Sequence, residues 1–253
     1  MDEIVWISGF IVGLLAGSLS ALFGIGGAML FIPAFRLFFG LTAHEAIATT
    51  IPLTIPTALI GAINFHLTGQ RVKLKTAAIA GSVGIVFSVI GAHMTGLFEG
   101  TILMWGTAIL FLVLAAATWK KFKEVPGNQT KKSKAIRSGS VGVVGGFLNG
   151  FFGIGGGAIV VPMLMKTRGL SIKMAVPTSL AIIAIYSTSS TIAHLAIGNV
   201  VVDLLLPVVL GSVTGVLVVS NSVGRLCEEK RRKAFSVFMV LMAFVILIRE
   251  IFL

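Results

Sequence analysis

Long runs without a charged residue recur along the whole chain, and they constrain its fold more than any other feature. Most approach the roughly 20 residues that a helix needs to cross a bilayer. They lack the alternating pattern of a membrane strand, so we predict an all-α integral membrane protein and not a barrel. Hydrophobic residues make up 56% of the 253 positions and charged residues 11%, which excludes an ordinary soluble domain. The eight runs are 4–23, 46–65, 76–98, 101–119, 138–165, 174–202, 204–224 and 234–248.

The chain contains an internal repeat. The segment FGIGGAMLFIP at residues 23–33 returns as FGIGGGAIVVP at residues 152–162, with a constant spacing of 129 residues. Downstream the match continues and, after a one-residue slip, includes a His-Leu pair in each half. Such self-similarity indicates one structural unit used twice. We expect a first repeat over residues 1–122, a basic cytoplasmic linker over 123–137 and a second repeat over 138–253, all within one integrated membrane domain.

The basic residues predict how the chain is threaded through the membrane. We suppose that each glycine-rich motif is the tip of a re-entrant helical hairpin, which enters and leaves the membrane on the same side. The other three runs of each half then cross the membrane completely. Because three is an odd number, the second repeat is inverted relative to the first. Loops with 18 of the 20 Lys and Arg then share one face, which the positive-inside rule makes cytoplasmic. The excess of Lys and Arg in these loops accounts for the net charge of +11, so a nucleic-acid partner is not needed to explain it. The four loops are 66–75, 120–137, 166–173 and 224–233.

On this topology both termini lie outside a cytoplasmic (inner) membrane that the chain crosses several times. Only Arg36 and Arg249 lie on the opposite face, together with six of the nine acids. Eight plain crossings are the alternative, but they leave the basic clusters at 71–75 and 166–173 unexplained.

The glycine-rich motifs carry the chemistry of the predicted site. Glycine removes side chains from a turn, so that consecutive backbone N–H groups can converge on one spot and attract an anion. A helix formed by the apolar stretch after each motif would direct the positive end of its dipole at the same spot. Close helix packing through small residues is the alternative explanation. The predicted substrate-binding glycines are Gly24, Gly26, Gly27, Gly153, Gly155, Gly156 and Gly157.

Paired hydroxyls follow both motifs at equivalent positions. Thr49 and Thr50 are in register with Thr178 and Ser179. They stand beside prolines, which we expect to break the helices and to free backbone groups within a protein-lined cavity. We predict the four hydroxyls as substrate donors, and the alternative is that each bonds back to its own helix.

Histidines offer a route for proton coupling. His66 and His194 lie near the ends of apolar runs, and imidazole titrates near neutral pH. We predict them as candidates for proton coupling, with a purely interfacial position as the alternative. No catalytic residue, metal ligand or cofactor is expected.

The motif at 152–162, its copy at 23–33, the hydroxyl pair after it and the stretch AHLAIGNV at 193–200 resemble the TauE/SafE family of sulfite and organosulfonate exporters. The resemblance covers nearly the whole chain. It implies a proton- or potential-linked carrier of small sulfur oxyanions such as sulfite, sulfoacetate or thiosulfate, bound by the glycines of both tips and the paired hydroxyls. The first copy departs from the pattern, with Ala28 where the second has Gly157.

Two other classes of function were weighed against transport of an anion. An intramembrane enzyme is disfavoured because the chain has no H-E-x-x-H, no G-x-S-x-G and no paired acids within a run. A transporter of another small solute, or a membrane scaffold or assembly protein without transport, remains as an alternative. The expected partners are a small anionic substrate and the lipid bilayer, and a homo-oligomer is left open.

A reporter fused at Asn128 is predicted to read cytoplasmic, because it follows five elements of the first repeat and lies in the basic linker. A reporter fused at Leu253 is predicted to read external. Paired fusions assayed in intact cells measure both positions. Two reporters on the same side of the membrane would overturn the inverted topology.

Overall fold

A computed structural model describes residues 3–119, 131–223 and 228–252 of the chain. Within these ranges it consists of ten α-helices without a strand, and a 3-10 turn at Val202–Leu204 precedes the ninth helix. By the repeat spacing, α1 to α5 of the first half correspond in order to α6 to α10 of the second. The helices are α1 Glu3–Phe23, α2 Ala28–Phe38, α3 Ala43–Leu67, α4 Leu74–Thr95, α5 Gly100–Trp119, α6 Lys131–Phe152, α7 Gly157–Arg168, α8 Ile172–Ile197, α9 Leu205–Val223 and α10 Glu228–Phe252.

The helix lengths separate crossing helices from short ones. Seven helical segments are long and apolar enough to cross a membrane, belonging to α1, α3, α4, α5, α8, α9 and α10. The two helices that follow the glycine motifs, α2 and α7, have 11 and 12 residues, about half of a crossing at 1.5 Å per residue. The predicted all-α membrane fold is confirmed.

Two local details differ from what the sequence suggested. Residues 131–137 of the expected linker form the start of α6, because this stretch has neither Gly nor Pro, and 123–130 lies outside the described residues. The expected breaks at Pro52 and Pro177 are absent, since α3 and α8 continue through both prolines. A proline removes only one backbone donor, and packing against neighbouring helices compensates for it inside a bundle.

Helices of one half pack closely on helices of the other. The α1 helix runs beside α9, and α6 runs beside α4, so the two contacts join equivalent elements. A Cβ atom added at Gly17 would lie 1.9 Å from the carbonyl oxygen of Ser212, and one added at Gly150 would lie 1.9 Å from that of Ser88. Glycine is therefore required where these backbones touch, as in other membrane helix pairs. At the centre α3 packs against α8, and α5 packs against α10.

Basic residues from several helix ends gather on one face of the bundle, called the basic face below. Arg168, at the end of α7, donates to the carbonyl oxygen of Lys134 and to the hydroxyl of Thr76. Burial, and after it the charge of Arg137, lower the pKa of Arg168 from the ordinary arginine value. Tertiary contacts therefore bring basic residues from α6 and α7 close together on this face.

The two arginines of the opposite face share one carboxylate. Arg36 of α2 forms an ion pair with Glu250 of α10, and Arg249 lies 3.1 Å from the same carboxylate. Glu250 therefore offsets one of their two positive charges.

Gly150→Ala is expected to destabilise the protein, because its Cβ would collide with the backbone of α4. Overpacking of this kind costs about 1–3 kcal/mol or more, which corresponds to a melting temperature lower by roughly 2–12 °C at this chain length. Thermal unfolding of the detergent-solubilised protein measures the shift. Gly96→Ala is the matched control, since the nearest atom to its added Cβ is 3.8 Å away. Equal melting temperatures for the two variants would contradict the close contact.

Candidate functional site

Two tight glycine turns interrupt the helices of the hairpins, and they are called the first tip (residues 24–27) and the second tip (residues 153–156). Gly27 and Gly156 precede α2 and α7 with left-handed φ values of 82° and 65°. This conformation is costly for residues with a side chain and open to glycine. The predicted helical hairpins with glycine tips therefore form.

The two tips touch each other. A Cβ atom added at Gly155 would lie 2.8 Å from the carbonyl oxygen of Ile25, and one added at Gly157 would lie 2.4 Å from the Cα atom of Ile25. This contact explains why the copies differ by Ala28 and Gly157. The Ala28 methyl fills space beside Gly155, whereas a methyl at 157 would overlap the first tip.

The contact between the tips lies halfway along the central helices. The Thr54 side chain, near the middle of α3, is within 3.7 Å of the Cβ positions of both Gly26 and Gly155, and Ile183 of α8 is 3.4 Å from that of Gly26. All residues of both tips are buried. The short helices α2 and α7 thus start halfway along the central helices, which are long enough to cross a membrane.

The tips leave backbone donors without acceptors. In the first tip Gly24 N–H bonds to the Ser20 carbonyl, and the next donor along the chain is Leu30. In the second tip Gly153 N–H bonds to the Asn149 carbonyl, and the next donor is Ile159. Among the hydrogen bonds of the described residues, none is donated by the intervening amides, residues 25–29 and 154–158. Buried amides without partners are rare in proteins, and each costs about 1–3 kcal/mol.

The carbonyl groups of the tips, in contrast, are held by side chains of α8. The Ser179 hydroxyl donates to the Gly24 carbonyl over 3.0 Å, and the Tyr186 hydroxyl donates to the Gly155 carbonyl over 2.8 Å. These bonds fix the peptide planes and leave the amide side of each turn available. Tyr186 was not predicted from the sequence, where its position as the single tyrosine, within a charge-free run, was the available signal.

The other predicted hydroxyls hold the scaffold together. Thr49 accepts a bond from the N–H of Val201 over 2.9 Å, and Thr178 accepts one from the N–H of Lys73 over 3.0 Å. Each hydroxyl thus anchors a loop of the other half, at opposite ends of the bundle. Thr50 bonds back to the Ala46 carbonyl of its own helix. Of the four hydroxyls, only that of Ser179 bonds to a tip.

A chain of polar side chains lies next to the tips, and two of its members, Thr54 and Asn149, were not predicted from the sequence. The Thr54 hydroxyl donates to the Ile51 carbonyl over 2.7 Å, and its oxygen lies 3.1 Å from Ser187 Oγ. Ser187 Oγ donates to Asn149 Oδ1 over 3.3 Å. All three residues are fully buried. Their shared signal is a polar residue in the middle of an apolar run, but only tertiary structure brings α3, α6 and α8 together.

The two candidate histidines occupy different environments. His66 is exposed at the end of α3, where it lines an apolar groove of about 570 Å³ between α3 and α8. No tip glycine lines this groove. His194 is buried, and its Nε2 atom lies 3.0 Å from the carbonyl oxygen of Gly150. Neither imidazole hydrogen-bonds to a tip in this arrangement.

Broken helices whose N-termini meet near the bilayer centre, inside a bundle of crossing helices, define a class: the membrane transport proteins. Comparison with known proteins places the chain within that class. The sequence matches the model of the sulfite exporter TauE/SafE family over residues 9–246. The chain belongs to this family.

Relatives from bacteria and archaea share this similarity over most of their lengths. The probable membrane transporter proteins YunE and YdhB of Bacillus subtilis are each 29% identical to the chain. The matches cover 75% and 83% of this chain and 78% and 85% of those proteins. A probable membrane transporter protein of Methanocaldococcus jannaschii is 27% identical over 73% of this chain and 70% of its own length. These names agree with a multi-pass membrane transporter.

Proposed function

We propose that the protein is a secondary transporter of small sulfur-containing anions, such as sulfite, thiosulfate or organosulfonates, across the cytoplasmic membrane. The anion binds between the two tips, near the bilayer midplane, and both its entry and its release require the tips, which touch each other in this arrangement, to move apart. The observation that carries this proposal is the pair of buried amide runs, residues 25–29 and 154–158, that donate no hydrogen bond among the described residues. An oxyanion supplies the acceptors that these donors lack.

Backbone amides suit an anion at this depth better than a cationic side chain. A charged side chain at the bilayer centre costs about 2.5–3.5 kcal/mol on insertion scales even when no ligand is bound. The amides of a turn are neutral, and the N-termini of α2 and α7 each add about half a positive charge from the helix dipole. The site therefore attracts negative charge without burying a cation.

Packing alone does not account for the tips. Glycines that only permit close contact leave the backbone hydrogen bonds intact, as they do along α1 and α6. A scaffold protein would gain nothing from ten buried amides without acceptors, each of which lowers stability. A carrier of another small solute remains the second candidate. Donors without nearby acceptors, however, favour a negatively charged solute.

Release of the anion requires the tips to separate, because they are closed against α3 and α8. We propose inverted repeats as the basis of this movement, with the basic face cytoplasmic. Equivalent hydroxyls, Thr49 and Thr178, bind loops of the opposite half at opposite ends of the bundle. Exchange of such matched contacts would open one end while the other stays closed, as in other transporters with inverted repeats.

Gly26→Ala is expected to abolish anion binding. Its methyl would occupy the space between the first tip, Thr54 and Ile183. Purified wild-type protein should gain thermal stability with sulfite, thiosulfate or methanesulfonate, by about 2.7 kcal/mol at a concentration 100 times the Kd. The variant should gain none.

The matched control is Gly40→Ala. Gly40 has a left-handed φ of 64° close to the 69° of Gly26, but no atom lies within 4 Å of its added Cβ. Both variants carry the same backbone strain, so only the blocked site distinguishes them. Ligand-dependent stabilisation of Gly26→Ala equal to that of Gly40→Ala would remove the tips from the mechanism.

We also propose His194 as a proton-coupling residue. It bonds to the Gly150 carbonyl, in the last turn of α6 before the second tip. His194→Ala is expected to flatten the dependence of anion flux on pH between 5 and 8, the range in which imidazole titrates. Flux into proteoliposomes measures it, with the wild-type protein as the reference. A profile that superimposes on that of the wild type would discard this role.

A further inference from the structure

Asn149, which lies one turn before the second tip, has a hydrogen-bond donor without a partner among the described residues. The Nδ2 atom of Asn149 is buried and has no hydrogen-bond partner within the described part of the chain. Asn149 is fully buried, in the last turn of α6, and its carbonyl accepts the N–H of Gly153 at the start of the second tip. An unpaired amide hydrogen in this position is costly unless a ligand accepts it.

The described neighbours of Asn149 leave one of its atoms without a partner. Ser187 donates to its Oδ1 atom, and the Ser187 hydroxyl oxygen lies 3.1 Å from that of Thr54, which touches both tips. With Oδ1 engaged by a donor, the remaining hydrogen-bonding capacity of the side chain is that of Nδ2, which can only donate. The side chain thus keeps one donor, unpaired among the residues that the structure describes, in the turn of α6 that leads into the second tip.

The first half has a related residue at the equivalent position. Ser20 precedes Asn149 by the repeat spacing of 129 residues, is fully buried, and its Oγ atom also has no partner among the described residues. Each tip is therefore preceded, one turn earlier, by an unpaired polar side chain. The two side chains differ, because the Ser20 hydroxyl can donate or accept, whereas the Nδ2 atom of the longer Asn149 side chain can only donate.

We propose that Asn149 is a specificity-determining residue that donates its Nδ2 hydrogen to an oxygen of the bound oxyanion. This assignment rests on the proposed function, and it adds a side-chain donor to the backbone amides. Amides arranged around a turn recognise negative charge in general, whereas a separately held side-chain donor requires an acceptor oxygen at a second position. Asn149 thereby favours sulfite- or sulfonate-type anions, which carry several oxygens.

Asn149→Asp tests the assignment, because a carboxylate has the same shape but no donor until it is protonated. Methanesulfonate is the probe, since its charge does not change over the range tested. The variant is expected to bind it at least tenfold more weakly than wild type at pH 8. It is expected to recover binding at pH 5, because burial raises the pKa of the introduced carboxyl above the ordinary aspartate value of about 4. Ligand-dependent thermal stabilisation of the purified full-length protein measures both affinities.

Other titratable groups near this part of α6 are present in both proteins, so the wild-type curve accounts for them. They are Tyr186 and His194 of α8, His93 of α4 and His44 of α3. Asn199→Asp, in the loop after α8, is the matched control and should bind as wild type does at both pH values. Asn149→Ser, which copies Ser20, should fold and bind roughly tenfold more weakly, as expected for one lost hydrogen bond to a charged group.

The outcomes separate this inference from the proposed function. Wild-type protein that no anion of the panel stabilises would overturn the proposed function and the role of Asn149 with it. If wild type binds methanesulfonate and Asn149→Asp binds it equally at pH 8, only the role of Asn149 is overturned. The role of Asn149 is also overturned if Asn149→Asp folds but does not recover methanesulfonate binding at pH 5. If the aspartate variant does not fold, an unchanged affinity of Asn149→Ser overturns it.

Discussion

Backbone hydrogen bonding inside a lipid bilayer is the constraint on which this structure depends. Without water, each N–H group of a crossing helix has to find an acceptor within the protein. The two tips depart from this rule at the level of the bilayer centre, where residues 25–29 and 154–158 donate no bond among the described residues. The rest of the bundle holds those donors in place, and α8 fixes the carbonyl side of both turns through Ser179 and Tyr186.

Glycine has two separate roles in this bundle. Along α1 and α6 it lets helices of opposite halves approach until backbones touch, as at Gly17 and Gly150. In the tips it permits left-handed turns and lets the two hairpins meet, with Gly157 lying against Ile25. The first role gives the scaffold its rigidity. The second brings two backbone turns into direct contact.

The structure brings some of the residues singled out from the sequence together. The glycines were recognisable because they recur at a fixed spacing, and Ser179 does bond to the first tip. Thr49 and Thr178 were chosen by the same register, but they bind loop amides of the other half instead. Thr54 and Asn149 were missed, since a single polar residue in an apolar run carries no sign of which neighbour it meets. Only packing of α3, α6 and α8 assembles them.

The sequence by itself determined the class of fold, the repeat and the two helix breaks. The reason is that the length of apolar runs, the spacing of motifs and the glycine content are properties of short segments, and a bilayer constrains each segment directly through its thickness and its lack of water. The concentration of Lys and Arg likewise determined which helix ends share a face. Tertiary structure alone decided that the tips touch, that Ala28 and Gly157 are not interchangeable and that Thr54 of α3 meets Ser187 of α8. These depend on contacts between residues more than 100 positions apart, which no local pattern encodes.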